Sequence, residues 1–471
     1  MKKFERLRHI RYFSHSLRTL PKQYSSADVN RLSLVHFCVQ SLDILGCLPV
    51  EKNDELICGS VGEDVHVNRE EIVEWIYGLE TVPTTKEGSD EGGYCVGGGF
   101  KGGTYLGPIN SNGNGYDESE SESDQSSSTS SSSERHPYDH SHIAMTYVAL
   151  CTLQSLGDDL SRIDKHAILS TLSGLQKPNG SFVALSPTST KYDRADDVEA
   201  EDDCDLRFMY AAIAVWYILT SLDDDDDKKD YINIDIESAT NYILSCKSYE
   251  GALGLTPGRE GHGGSTFCGI ASLCLLGVLD DVMSREEMRG WKEDLIYWCV
   301  MRQKSLRRRK KKKNDGNTDT DTTNNNNNNG YVEGDDEQPA GMVGRPNKKE
   351  DTCYSYWIGG TLHLLSSSHL IDGWALREYV LTCQSPYGGF GKVVGAMPDL
   401  LHSFYSMAWL TLSTEDGCCD ADDDDEEEEG DGEDEDVVYE SEMRSQVRES
   451  IGKLSKLDCA LGMCAKRMST R

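Results

Sequence analysis

Three short stretches carry side chains able to do chemistry. The run Asp351, Thr352, Cys353, Tyr354 sets a carboxylate and a thiol two residues apart, and His402 follows in DLLHSFYSMAWL. Carboxylate, thiolate and imidazole make a three-donor zinc set that leaves a fourth position open for a substrate. Asp351 and Cys353 converge at a helix start, whereas His402 has to arrive on another element. With sixteen Cys and twelve His in the chain, chance pairs are plentiful, and a buried packing role is the commoner one for Cys353. In the second stretch, Gly258–Thr266, His262 sits among glycines just before an apolar run. That suits an anion held by backbone N–H groups and a helix N-terminus; a loop that merely needs Gly is the plainer alternative. The third stretch, Gly344–Glu350, places Arg345 and Lys348 three apart just upstream of Asp351. It is either a diphosphate clamp or a solvated basic turn.

Such residues need rigid elements behind them. Ile143–Leu156, Leu206–Leu222, Ala239–Cys246, Thr266–Leu279 and Tyr354–Leu365 are apolar on one or more faces at helical spacing. The segment TFCGIASLCLLGVL is apolar almost all round, which marks a helix buried on several sides. A repeat punctuates these helices: LQKPNGSF (Leu175–Phe182), CKSYEGALG (Cys246–Gly254) and CQSPYGGFGK (Cys383–Lys392), with a weaker copy at Gly97–Gly103. In the three clear copies a helix end bearing Gln or Lys leads into a Gly turn and then an apolar residue. Helix pairs joined by such turns stack side by side. The expected fold is all-α, a toroid with an inner and an outer ring of helices, although closure of the ring does not follow from the repeat.

The net charge is −34, and most of it lies in a few runs; residues 415–436 alone hold sixteen acids and no base. Acidic low-complexity runs are solvated and lack a packed core. The expected organisation is therefore one domain over 1–471, interrupted by disordered inserts at about 111–135, 193–203, 223–230, 304–337 and 414–436. The acidity belongs to the inserts, and no nucleic-acid partner is expected. Cysteines are scattered through a long chain, MKKFERLRH lacks the apolar stretch of a signal peptide, and no apolar run approaches the ~20 residues of a membrane span. These features point to a reduced, cytoplasmic protein with no transmembrane segment.

HIAMTYVALCTL, GHGGSTFCGIASLCLLG, GRPNKKEDTCYSYW and DLLHSFYS, in this order, resemble the β subunits of protein prenyltransferases; RHIRYFSHSLRTLPKQYSSADVNRLSLVHF and DLRFMYAA fit as well. The resemblance covers most of the chain outside the inserts. It implies six inner and six outer helices, a separate α subunit, and one zinc ion per β chain on Asp351, Cys353 and His402. It implies diphosphate binding by His262, Arg345, Lys348 and Tyr354. Arg207, Tyr210, Cys268, Trp357 and Ser33 match isoprenoid-channel positions, and Ser33, Phe37, His142, Ala144, Phe208 and Leu401 match peptide-contacting ones. Three positions resemble geranylgeranyltransferase type I: Ser33 where farnesyltransferases carry a channel-closing Trp, Leu401 where they carry Tyr, and Lys392 where Mg²⁺-using sister enzymes carry Asp. The implied activity is transfer of geranylgeranyl from its diphosphate to the Cys of C-terminal Cys-a-a-X motifs, as in small GTPases, with Lys392 replacing Mg²⁺. A farnesyltransferase or Rab geranylgeranyltransferase subunit is the alternative. A terpenoid cyclase is disfavoured, because the DxDD-like runs at 223–227 and 422–425 are unbroken Asp in low-complexity sequence. An inactive scaffold is disfavoured because no implied ligand is missing.

Overall fold

The computed structural model describes residues 2–48, 68–81, 84–86, 94–104, 140–185, 204–222, 234–304, 340–414 and 444–465. The inserts expected from composition fall outside these residues, apart from Lys304 and Thr414 at two edges. In chain order the helices are α1 (Arg6–Arg18), α2 (Arg31–Ile44), α3 (Arg69–Tyr77), α4 (Ile143–Ser155), α5 (Lys165–Leu175), α6 (Leu206–Thr220) and α7 (Ile236–Ser245). There follow α8 (Gly263–Leu275), α9 (Leu279–Ser284), α10 (Trp291–Val300), α11 (Cys353–Leu364), α12 (Gly373–Thr382) and α13 (Leu400–Leu412). Eight short strands pair antiparallel: β1 (Glu80–Thr81) with β4 (Gly99–Phe100), β2 (Thr84–Lys86) with β3 (Tyr94–Val96), β5 (Phe390–Gly391) with β6 (Pro398–Asp399), and β7 (Leu457–Asp458) with β8 (Met463–Cys464).

Burial sorts the helices into two rings. Helices α4, α6, α8, α11 and α13 are buried nearly all round; in α4 every residue from Val148 to Ser155 is buried. Most outer helices bury one stripe, as α10 does with Trp291, Leu295, Trp298 and Cys299 at i, i+4, i+7 and i+8, whereas α12 buries eight of its ten residues. The inner helices pack in the order α2, α4, α6, α8, α11, α13, and α13 returns to α2, so the ring is closed. Helices α1, α3, α5, α7, α10 and α12 surround it. Hydroxyls buried inside the inner helices bond back one turn, as Thr152 Oγ1 does to Val148 O at 2.5 Å and Ser272 Oγ to Cys268 O at 2.7 Å.

The repeat is the hinge between the rings. Gln176 bridges to Phe182, Lys247 to Leu253 and Gln384 to Phe390, six residues apart each time. Gly180, Gly251 and Gly388 turn the chain at φ near +90° and press against the next outer helix. A Cβ on Gly180 would lie 2.0 Å from Ser238 O, and one on Gly388 would lie 2.2 Å from Arg8 O. The repeat's Gln also holds the start of that helix. Gln176 accepts from Asp235 N (2.7 Å) and donates to Asp235 O (2.8 Å), and Asp235 caps α7. Gln303 does the same to Asp372, the cap of α12, at 2.9 and 2.8 Å. Gln384 accepts from Glu5 N at 3.0 Å and so joins α12 to α1. Gln303 belongs to a copy that the sequence hides: its bridge partner is Met342, beyond the insert. At Lys247, where Gln is replaced, the ammonium stands 5.7 Å from the ring of Trp291, the first residue of α10.

Candidate active site

Helix α11 starts at the would-be metal centre. Asp351 Oδ1 accepts from Cys353 N at 3.0 Å, which turns both side chains to one side of the helix start. Because α13 is the ring neighbour of α11, its first turn brings His402 Nε2 to 3.2 Å from Asp351 Oδ1. One donor atom from each of Asp351, Cys353 and His402 lies within 4.8 Å of the others. Asp399, which caps α13 through His402 N (2.9 Å), also holds His402 Nδ1 at 2.6 Å and leaves Nε2 directed at the cluster. A carboxylate behind a ligating imidazole is the usual support of a metal site. Burial pushes the Asp351 carboxyl up, but hydrogen bonds from His402 and Cys353 outweigh it and hold the group at about 2. Burial lowers His402, while Asp351 and Asp399 raise it to about 9. Burial and the Asp351 carboxylate push the Cys353 thiol far up. The Asp351 carboxylate is thus balanced by the His402 imidazolium and the Lys392 ammonium, and one O, one S and one N donor fit a tetrahedral metal with an open position.

Lys392 joins this cluster: Nζ is 3.3 Å from Asp351 Oδ2, with the side chain 60% exposed. It follows β5 directly, and this end of the strand is fixed to the residue before α11, since Thr352 N donates to Lys392 O and Thr352 Oγ1 to Gly391 O, both at 3.0 Å.

Next to it, the turn 344–350 is tied to α8 by Gly263 N donating to Gly344 O at 2.9 Å. His262 caps α8, with Nδ1 accepting from Gly264 N at 3.1 Å and Nε2 3.0 Å from Tyr354 Oη. Burial, then Arg345, keeps the His262 pKa below the ordinary value. His262 is therefore a neutral N–H donor, and the positive charge in this group comes from Arg345 and Lys348. Arg345 pairs with Glu260 at 2.8 Å, a partner to which the sequence assigned no role. Lys348 is exposed and has no ion pair among the described residues.

All six inner helices line one apolar cavity of about 530 Å³. Each contributes two adjacent residues from its second turn: His36 and Phe37, Tyr147 and Val148, Tyr210 and Ala211, Phe267 and Cys268, Tyr356 and Trp357, Phe404 and Tyr405. The matching register means that the six N-termini, with their positive dipole ends, face one rim. Of the sequence-derived residues, Ser33, Phe37, Ala144, Arg207, Tyr210, His262, Cys268 and Trp357 line the cavity. Arg207 is held at its mouth by Asp205, with Nη2 to Oδ2 at 2.5 Å. His142 and Phe208 lie outside the lining and pack edge-on at 5.7 Å; Leu401 is also outside, 40% exposed beside His402. The sequence reading missed Tyr147, Phe267, Tyr356, Phe404, Tyr405 and Gly462. Helical spacing carries a signal for Tyr147, which falls three residues after the cavity-lining Ala144.

Comparisons with known proteins agree with this geometry. The prenyltransferase alpha-alpha toroid domain family matches residues 4–462. The type-1 geranylgeranyl transferase β subunit of Arabidopsis thaliana is 32% identical over 417 residues, covering 88% of this chain and 86% of that protein. Its Dictyostelium discoideum counterpart is 31% identical over 402 residues, covering 85% and 88%. The farnesyltransferase β subunit of Schizosaccharomyces pombe is 25% identical over 424 residues. A solved Candida albicans protein geranylgeranyltransferase-I, complexed with GGPP, shares the fold at a TM-score of 0.60 and 20% identity, covering 99% of this chain and 97% of that one. The chain belongs to the prenyltransferase α/α-toroid family and is similar along most of its length to type-1 geranylgeranyl transferase β subunits.

Proposed function

We propose that this chain is the catalytic β subunit of a type I protein geranylgeranyltransferase. It joins an α subunit and transfers geranylgeranyl from its diphosphate to the Cys of a C-terminal Cys-a-a-X motif. The observation that carries the reading is the meeting, at one rim of the toroid, of the Asp351–Cys353–His402 cluster, the Arg345–Lys348 turn and the mouth of an apolar cavity. Asp351, Cys353 and His402 would hold one zinc ion, and zinc when bound supplies a Lewis acid that favours the thiolate form of the substrate Cys.

The chain's own residues do the rest. Asp399 keeps His402 Nε2 available as a ligand by holding Nδ1. Arg345 and Lys348 take the diphosphate by charge, and His262 Nε2 and Tyr354 Oη by hydrogen bonding. The apolar wall keeps water from the prenyl chain. As the substrate sulfur bonds to C1, the C1–O bond breaks and its electron pair leaves with the diphosphate. Cationic and N–H donors at that oxygen stabilise the charge as it develops. Lys392 adds a fixed ammonium beside Asp351, which is the basis for turnover without Mg²⁺. Among the described residues no helix is long and apolar enough to cross a membrane, and a cytoplasmic enzyme is part of the proposal.

The test is co-expression with an α subunit and assay of peptides ending in Cys-a-a-Leu with farnesyl and geranylgeranyl diphosphates. Preferential geranylgeranyl transfer is expected. Preference for farnesyl would assign the chain to the sister enzyme, and no transfer with either donor would overturn the reading.

A further inference from the structure

Three cations at the rim stand beside a carboxylate: Lys392 by Asp351, Arg207 by Asp205 and Arg345 by Glu260. Two of the three carboxylates have other work and are buried. Asp351 belongs to the metal cluster, and Asp205 caps α6 by accepting from Arg207 N at 2.8 Å. Glu260 differs. Its side chain is 53% exposed, and among the described residues its one hydrogen bond is the 2.8 Å contact from Arg345 Nη1. It caps no helix, since His262 fills that place on α8. The backbones behind the pair are fixed. Gly263 N donates to Gly344 O at 2.9 Å, and the Tyr354 ring packs so closely on Gly344 that a Cβ there would lie 2.1 Å from Tyr354 Cζ. Rearrangement is therefore confined to the two side chains. Burial and then Arg345 lower the His262 pKa while Glu260 opposes them, so the field of Glu260 reaches the imidazole beside Tyr354.

We propose that Glu260 is a placeholder for the diphosphate on Arg345. It holds the guanidinium in the empty protein, gives it up when a diphosphate arrives and takes it back when inorganic diphosphate leaves. The proposal rests on the prenyltransferase reading and adds to it a residue that tunes how tightly the diphosphate group is held. A carboxylate and a phosphate oxygen ask the same of a guanidinium, which is positively charged N–H donors in a fixed fork. Exposed ion pairs of this kind are weak and exchange readily. The diphosphate also meets Lys348, which has no ion pair among the described residues, and so it outcompetes a single carboxylate for Arg345. Once released, Glu260 turns to the solvent that it already meets. Donor and inorganic diphosphate are each held less tightly by the strength of the pair they break, and the pair re-forms behind the departing product.

The experiment uses the full β chain co-expressed with its α subunit and loaded with zinc. The probes are geranylgeranyl diphosphate and inorganic diphosphate, the latter as an inhibitor that competes with the donor. Glu260→Gln keeps the shape of the side chain and removes its charge. It tightens inhibition by inorganic diphosphate and lowers the donor KM, each by about two- to fivefold, the range that loss of one exposed ion pair allows. The KM for the acceptor peptide stays as in the wild type. In an Arg345→Gln background the same substitution has a smaller effect, because the double-mutant cycle isolates the contact between the two side chains. Weaker diphosphate inhibition in Glu260→Gln would make Glu260 a support for Arg345, and equal tightening with and without Arg345 would make it a general repulsive charge. Either result, or unchanged inhibition, overturns the exchange. The functional reading is judged separately, by geranylgeranyl transfer in the wild type. If the wild type transfers geranylgeranyl and Glu260→Gln fails in one of these ways, this inference alone is wrong; a wild-type complex that neither transfers geranylgeranyl nor binds its diphosphate overturns both.

Discussion

Asp351 serves three partners at once: the amide of Cys353, the imidazole of His402 and the ammonium of Lys392. Two chemical predictions turn on it. Cys353→Ala removes one donor from a buried position and only a small volume, so the barrel keeps its helicity while bound zinc falls to a small fraction of one per chain. Metal analysis of the purified complex alongside circular dichroism checks this, and full zinc occupancy in the variant would remove Cys353 from the ligand set. Lys392→Asp acts in the other direction. It replaces an ammonium with a second carboxylate beside Asp351, and clustered carboxylates are what a hard divalent ion needs. The wild-type rate stays unchanged when Mg²⁺ is withdrawn with zinc retained, whereas the variant becomes dependent on it. A wild-type enzyme that itself needs Mg²⁺ would deny Lys392 this role.

At the scale of elements, the repeat works as a clamp. Gln384 accepts from Glu5 N, donates to Lys3 O and contacts His9 Nε2 at 2.8 Å, so one side chain fastens the first outer helix to the last. Replacing it with Ala removes two or three neutral hydrogen bonds, each contributing about 0.5–1.5 kcal/mol net. Gln384→Ala is expected to cost about 1–3 kcal/mol in chemical denaturation, with the midpoint lowered and the slope unchanged. A variant as stable as the wild type would show that ring closure rests on apolar packing alone. Phe390, the bridge partner of Gln384, opens β5, and Lys392 follows that strand, which links closure of the outer ring to the metal rim.

At the scale of the whole molecule, buried histidines that stay neutral couple stability to pH. His9 is stacked between Phe4 and Phe390; Nδ1 accepts from Gly389 N at 3.0 Å and Nε2 faces Gln384. Burial, with a contribution from Arg8, lowers its pKa from 6.5 to about 4 despite the Gln384 bond. His36, in the cavity wall, is lowered by burial to about 3. Below pH 6.5 the unfolded chain binds protons that the folded one refuses, so stability is lost as pH falls from about 6.5 towards 4. His9 alone accounts for a loss of about 3 kcal/mol at the acid end. Urea denaturation at pH 7 and pH 4.5 tests this: the wild type loses more stability between the two than His9→Gln does, and equal losses would place the acid sensitivity elsewhere.

Several helices and the hinge motif were legible in the chain, because each rests on local rules. Helical periodicity marked α4, α6, α8 and α11; Gly turns marked the hinges; and Asp351, Cys353 and His402 stood out by donor type and by the order of motifs around them. What tertiary structure decided involves partners with no local relation. The toroid closes where α13 meets α2, and nothing in either helix announces the other. Gln303 and Met342 form a hinge copy that an insert conceals from any fixed-spacing search. Lys392 meets Asp351 only because a hairpin folds onto the start of α11. Tyr147, Tyr210 and Tyr356 bond to carbonyls of the turn between β7 and β8, as far as 314 residues away. Periodicity shows that a helix has a buried face; it does not show which segment will cover it, because that choice is made by the packing of the closed ring.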